Sequence, residues 1–437
     1  MDKRKQYYPL MLRTIENYQI EYLSRKFDFS KESRIARLIV QEINEAMSVV
    51  EKKLNIVRVK PFELFIQKSW RKIRFPLFQP RYLEPLYEGN NFSASRELIK
   101  EECLKRLRQH FPQAGERELL EIIDPWALVR GNGPGIYQEE IKEKAAPYNE
   151  EDTKFWRNEL SQLKPLSPKE RLKTPDLSAP ADLLHDLTTV VQKEAGMGKT
   201  TAGYLVEEVI TLRNLCCPRA DELNSGEMPL LATHVKARLS KETQTQFRRI
   251  APVIITVWQK EELKNIPMTV PEYLALLKKR IIRVCFEAYR QNGLLTLQEL
   301  QWIFQISAHR ISELIRSFQN EHNIIVPTPG TVLDAGRSMT HKDIIVRLYQ
   351  QGYNFKQIAT ITHHSPRSIH NYIDTFESVL ILYFFNVPKR LIAQILKKGN
   401  TLIDEYISLI EEFYDDRSLI KDFLQKRGVK IQNVIYR

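Results

Sequence analysis

Ile358, Ala359, Ile369 and Tyr372 recur 34 residues further on as Ile392, Ala393, Ile403 and Tyr406, and 58 residues earlier Ile311 and Phe318 stand where Ile369 and Phe376 stand. Apolar residues that return as a set mark one supersecondary unit used repeatedly. The last third of the chain is therefore expected to hold three short helical units in tandem.

The middle copy is the most legible. Thr340 precedes HKDIIVRLYQQ, in which Ile344, Ile345 and Leu348 share a helical face; Gly352 ends that helix, and FKQIATIT supplies a second. Ser365 suits an N-cap and Pro366 the first helical position, so a third helix is predicted from there to about Phe376. Ile369, Tyr372, Ile373 and Phe376 form its core face, and Arg367, His370, Asn371 and Asp374 the opposite one. A short helix, a tight turn and a helix with a polar, outward first turn is the helix-turn-helix plan. Arg can clasp guanine and Asn adenine, each with two hydrogen bonds, so Arg367 and Asn371, with His370 beside them, are the candidate base-reading residues. Arg337, Lys342, Lys356, His363, His364 and Ser365 are the candidate phosphate contacts. Five cations and one acid between Gly336 and Ile373 agree with that reading.

The first copy, LTLQELQWIFQISAHRISELIRSF, offers His309, Arg310, Ser312 and Arg316 as secondary DNA contacts, beside Glu313. NIIVPTPGTVL after it reads as two short strands about a turn, which would make this copy a winged unit. The third copy turns Thr401, Asp404, Glu405 and Ser408 outward, followed by Glu411 and Glu412. Carboxylates are repelled by phosphate, so this copy is expected to serve association rather than DNA contact.

Along the whole chain of 437 residues, six segments are expected. They are a helical N-terminal domain (1–130), a Pro-rich connection (131–181), a middle α/β region (182–270), the winged copy (271–335), the main DNA reader (336–380) and the association copy (381–437). The fold class is mainly α and multidomain, with tandem C-terminal helix-turn-helix units. Ile35, Leu38, Ile39 and Ile43 give the N-terminal region its helical period. FIQKSWRKIRF (residues 65–75) reads as a helix with a buried aromatic stripe and a basic face, or less simply as a further nucleic-acid contact. PVIITVW (residues 252–258) is the best strand of the middle region.

The 66 Lys and Arg against 54 Asp and Glu give a net charge of +12, which favours a polyanionic partner. Four cysteines without metal-ligand spacing imply a reducing compartment, and no apolar run is long enough for a membrane span. A cytoplasmic, nucleoid-associated protein is expected, with no cofactor, no metal and no membrane partner.

Three motifs invite other chemistry. GMGKTT, with Gly196, Gly198, Lys199 and Thr200, resembles a phosphate-binding loop. Lys193 occupies the place of the first glycine, however, and no strand ending in Asp follows, so a helix start or structural loop is favoured. His364 and Arg367 form an HxxR pair of the kind tyrosine recombinases use, with Tyr383 or Tyr406 as the nucleophile to be tested; helix-turn-helix already accounts for both residues. His363, His364 and His370 lack a neighbouring Cys or acid at ligand spacing.

The stretches CCPRADELNSGEM (residues 216–228), PTPGTVLDAGRSMTHKDIIVRLYQQG (327–352) and THHSPRSIHNYIDTFESV (362–379) resemble an uncharacterised archaeal and bacterial family known only as a domain of unknown function. The resemblance implies a prokaryotic source and a DNA-binding tail, and brings no activity or catalytic residue. The function expected is sequence-specific binding of double-stranded DNA in transcriptional control or in a mobile element, with a homodimer on paired half-sites as a compatible assembly. Two alternatives stay open. One is a recombinase or transposase with catalytic residues in the N-terminal or middle domain, and the other is a helical protein-interaction adaptor.

Overall fold

The computed structural model describes residues 3–27, 29, 34–68, 71–89, 91–115, 118–119, 150–165, 167–171, 180–237, 249–263, 269–333, 342–362, 364, 366–414 and 416–426. It is mainly helical, with small antiparallel sheets, and divides into two compact units, Met1–Pro329 and Gly330–Arg437. None of its helices, among the described residues, is long and apolar enough to cross a membrane.

The first unit opens with α1 (Lys3–Met11), α2 (Ile15–Lys26) and α3 (Arg34–Lys53). In α3 the buried face is Ala36, Ile39, Val40, Ile43 and Met47, while Ile35 and Leu38 remain exposed. The period is the one expected, rotated by about one residue. The partners of this face are α6 (Ala181–Ala195) and α7 (Lys199–Cys216), through Leu187, Val191, Leu205, Val206, Val209 and Ile210. The N-terminal and middle segments, expected as separate domains, thus share one core. Gly196 ends α6 in the left-handed conformation and Gly198 is the N-cap of α7, so GMGKTT is a helix-to-helix turn. The TTVV before it lies within α6 rather than in the strand a phosphate loop requires.

Residues 65–75 correct an expectation. The described ones, 65–68 and 71–75, belong to two antiparallel strands, β1 (Glu63–Lys68) paired with β2 (Arg71–Pro76), not to a helix. Leu64 and Ile66 pair with Phe75 and Ile73, a period of two that places them on one buried face. Helix α4 (Phe92–His110) packs on β2. Much of the local positive charge is spent internally: Arg74 donates to the Arg58 carbonyl at 2.6 Å, and Arg106 to Glu102 at 3.0 Å.

The middle sheet has the order β4 (Ile250–Thr256), β3 (Glu227–His234), β5 (Gly293–Leu294), all antiparallel. The strand expected at 252–258 is β4. The CCPRADELNSGEM stretch stitches the β1–β2 pair to this sheet by backbone pairing. Val59 N donates to Pro218 O, Gly226 N to Phe65 O at 2.8 Å, and Val257 N to Gly226 O at 2.9 Å. Gly226 sits at φ 97, and a Cβ there would lie 2.4 Å from the Trp258 carbonyl oxygen, so only glycine fits.

The Pro-rich segment holds α5 (Glu150–Gln162), whose Trp156 meets Phe318 edge-on at 4.9 Å. Three helices close the unit: α8 (Val270–Arg290), α9 (Leu297–Phe304) and α10 (Ala308–His322). Residues 323–328 form no strand, beginning with Asn323 in the left-handed conformation, and Pro329–Val332 is one helical turn, so the expected wing hairpin does not form among the described residues. Pro327 and Pro329 lack the N–H that a ladder needs.

The second unit comprises α11 (Lys342–Gln350), α12 (Phe355–Thr362), α13 (Pro366–Phe384), α14 (Lys389–Leu396), α15 (Asn400–Phe413) and α16 (Arg417–Lys426). Its core runs through Val346, Phe376, Val379, Leu380, Ile392, Ile403, Tyr406, Ile410, Ile420 and Leu424. Helix α13 continues two turns beyond the expected end, because Val379 and Leu380 keep the buried face going until Pro388 forbids it.

Candidate nucleic-acid interface

The repeat is visible as geometry. Helices α9, α12 and α14 each have eight residues, and each is joined by three residues to a longer helix, α10, α13 or α15. The starts at 297, 355 and 389 keep the 58- and 34-residue offsets of the sequence. Gln305 and Lys397, the first connecting residues of the outer copies, are both left-handed. Ile311, Ile369 and Ile403 are all fully buried, as are Phe318, Phe376 and Ile410.

In the middle copy Asn354 and Gln357 cap α12 reciprocally, each accepting the other's backbone N–H at 2.9 Å. Ile369, Ile373 and Phe376 of α13 face the core, while Pro366, Arg367, His370, Asn371 and Asp374 are exposed. The His370 ring stacks on Phe355, with centroids 4.2 Å apart and planes at 19°, which limits its rotamers without covering it. Arg367 forms no ion pair with any described residue. Lys356 is exposed at the start of α12.

Two of the expected phosphate contacts are corrected. Lys342 is only 4 % exposed and pairs with Glu405 of α15. His364 is equally buried; its Nδ1 lies 2.8 Å from the Thr362 carbonyl and its ring meets Tyr372 edge-on. Arg337, His363 and Ser365 lie outside the described residues.

The acidic face of α15 finds its partners inside the unit. Besides Glu405 with Lys342, Glu412 pairs with Arg347 at 2.6 Å, Asp404 with Lys389, and Glu411 accepts from Tyr383 at 3.1 Å. The repulsion that assigned this copy to association is therefore largely cancelled by α11 and α14. The same pairs withdraw Lys342 and Arg347 from the local cation excess.

In the first copy His309 and Arg310 both engage Glu313, at 3.2 and 3.1 Å, and Arg316 is exposed. Ser312 faces inward, buried against the core, and cannot be the outward contact expected of it. Lys199 and Thr200 are exposed on the first turn of α7. The two tyrosines named for the recombinase reading differ in access. Tyr406 is buried against Phe376, its phenol raised well above the ordinary range by burial, and Tyr383 donates to Glu411. No group of three or more His, Cys, Asp or Glu side chains lies together at metal-binding separation among the described residues.

The arrangement repeats within a segment that defines a protein family. Residues 194–409 match the family described as a protein of unknown function (DUF1670). That match contains the first two repeated units, the third as far as Leu409, and the whole CCPRADELNSGEM joint. No curated protein and no solved structure matches the chain.

Proposed function

We propose that the Gly330–Arg437 unit binds double-stranded DNA by a helix-turn-helix, with α13 as the reading helix, in transcriptional control or in a mobile element. The observation that supports this reading is a contrast among the three copies. The first turn of α10 is engaged by its own Glu313 and the outer face of α15 by α11 and α14, whereas α13 leaves Arg367 exposed and without an ion pair to a described residue in its first turn, with Asn371 exposed one turn on; the exposed Arg316 and Asn320 of α10 lie two turns or more beyond that helix's start. In a major groove Arg367 can donate twice to guanine O6 and N7, Asn371 can exchange two hydrogen bonds with adenine, and His370 can present the edge that Phe355 leaves open. Lys356 supplies a phosphate contact. A pair of chains would present two copies of α13 to half-sites about 34 Å apart.

Selection from a random duplex library, followed by fluorescence anisotropy, tests the proposal. Arg367→Ala is expected to cost about 1–3 kcal/mol on the preferred site and to flatten preference at one position. Lys356→Ala should weaken all sequences alike. Unchanged base preference in the Arg367 variant rejects α13 as the reader, and absence of salt-sensitive binding by the whole chain rejects DNA altogether.

A further inference from the structure

We infer that the turn between α14 and α15 is a second contact to the same duplex, holding the phosphate backbone beside the groove that α13 enters; this rests on the DNA reading above. Arg390, Lys397 and Lys398 are exposed, and none forms an ion pair with a described residue. Arg390 and Gln394 stand at i and i+4 on the outward side of α14, and Lys397 and Lys398 lie in the turn that follows its last residue. The nearby carboxylates do not oppose an anion here, because Asp404, Glu405 and Glu412 are engaged by Lys389, Lys342 and Arg347.

Placement relative to α13 follows from the contacts between the two helices. Tyr406 of α15 donates to the Tyr372 carbonyl of α13 at 3.4 Å, and Tyr383 of α13 donates to Glu411 of α15 at 3.1 Å. Early residues meet early ones and late residues late ones, so the helices run in the same sense. The Arg367 end of α13 and the Lys397–Lys398 turn therefore lie at the same end of the unit. Packed helices lie about 8–10 Å apart, and a major groove is about 12 Å wide. With one helix in the groove, its neighbour's leading turn falls at the groove's lip, where the phosphates are. Three lysine or arginine groups without a specific hydrogen-bonding frame suit a contact that adds affinity and carries no sequence preference.

The test compares the full chain with Lys397→Asn/Lys398→Gln, using duplex DNA between 50 and 200 mM salt. Asn is chosen because Lys397 holds φ 52, a conformation Asn tolerates. Two lost phosphate contacts should lower the slope of log K against log salt by about 1.8, so that the wild-type advantage shrinks about twelve-fold across that range. Base preference should stay unchanged, which separates this surface from Arg367. Lys398→Gln alone should remove about half of the slope change, and an unaltered melting curve for that variant excludes misfolding. If the wild type binds DNA and the double variant keeps both affinity and slope, the second contact is absent while the reading helix stands. If the wild type binds no DNA, both readings fall. Leu391 and Ile395 are 45 % and 52 % exposed on the same helix; Leu391→Ala/Ile395→Ala should leave the slope in place. Loss of affinity at an unchanged slope in that variant, with the lysine variants binding like the wild type, would assign the surface to an apolar contact and overturn the inference.

Discussion

Glu287 shows how much one buried side chain can tie this protein to pH. Burial pushes its carboxyl up to about 7, against the pull of Arg283 and of the Thr256 N–H that it accepts at 2.6 Å. The folded value lies above the ordinary 4.5, so the folded state binds the proton more tightly than the unfolded chain does. Stability is then fullest below about pH 4.5, falls as pH rises towards 7 and stays reduced above it, by about 3 kcal/mol. Glu287→Gln keeps an acceptor for Thr256 and removes the titration. Urea unfolding should show the variant gaining on the wild type between pH 5 and pH 8, and an equal difference at both values would refute a buried proton at this position. Arg13 makes the complementary case. Its guanidinium reaches Glu299, the Leu231 carbonyl and the Thr233 hydroxyl, so a fully buried carboxylate is balanced by a cation brought from far along the chain. Neither partner could have been assigned from sequence, since nothing in the spacing of Arg13 and Glu299 announces their meeting.

Helix α15 carries the same lesson at the level of an element. Its outward acids look, in one dimension, like a surface built to avoid DNA, yet they dock it along α11. The two docking pairs differ in environment. Lys342 is 4 % exposed and Arg347 34 %. An exposed pair contributes about 1 kcal/mol or less, whereas removing one partner of a buried charge leaves the other unpaired in a medium that solvates it poorly. Glu405→Gln should therefore lower the melting temperature clearly more than Glu412→Gln does, and only the smaller effect should vanish in high salt. Equal and salt-labile effects would mean that Lys342 finds water when Glu405 is gone. The β1–β2 pair is the other element that sequence misassigned. Leu64 and Ile66 against Ile73 and Phe75 alternate as a strand pair does, but the interleaved cations also fit a helical period, and the short run could not arbitrate.

For the whole molecule, the second unit has a core of its own, with Phe376, Ile403, Tyr406 and Ile410 at its centre. Residues 330–437 expressed alone are expected to melt cooperatively with the circular-dichroism signature of a helical protein and to retain salt-dependent DNA binding; a broad, non-cooperative melt would show that the core needs the rest of the chain. The chain's own order of residues determined the three-fold repeat, its offsets of 34 and 58, the inward Ile369, Ile373 and Phe376, the outward Arg367 and Asn371, and the helix start at GMGKTT. Each of these depends on residues within one or two turns of one another, where the helical period and the capping groups act directly. Only the tertiary structure decided that α2 and α3 close on α6 and α7, that Lys342 and His364 are buried, and that the acids of α15 are neutralised. Those outcomes join residues as far apart as Arg13 and Glu299, and packing, rather than local preference, chooses such partners.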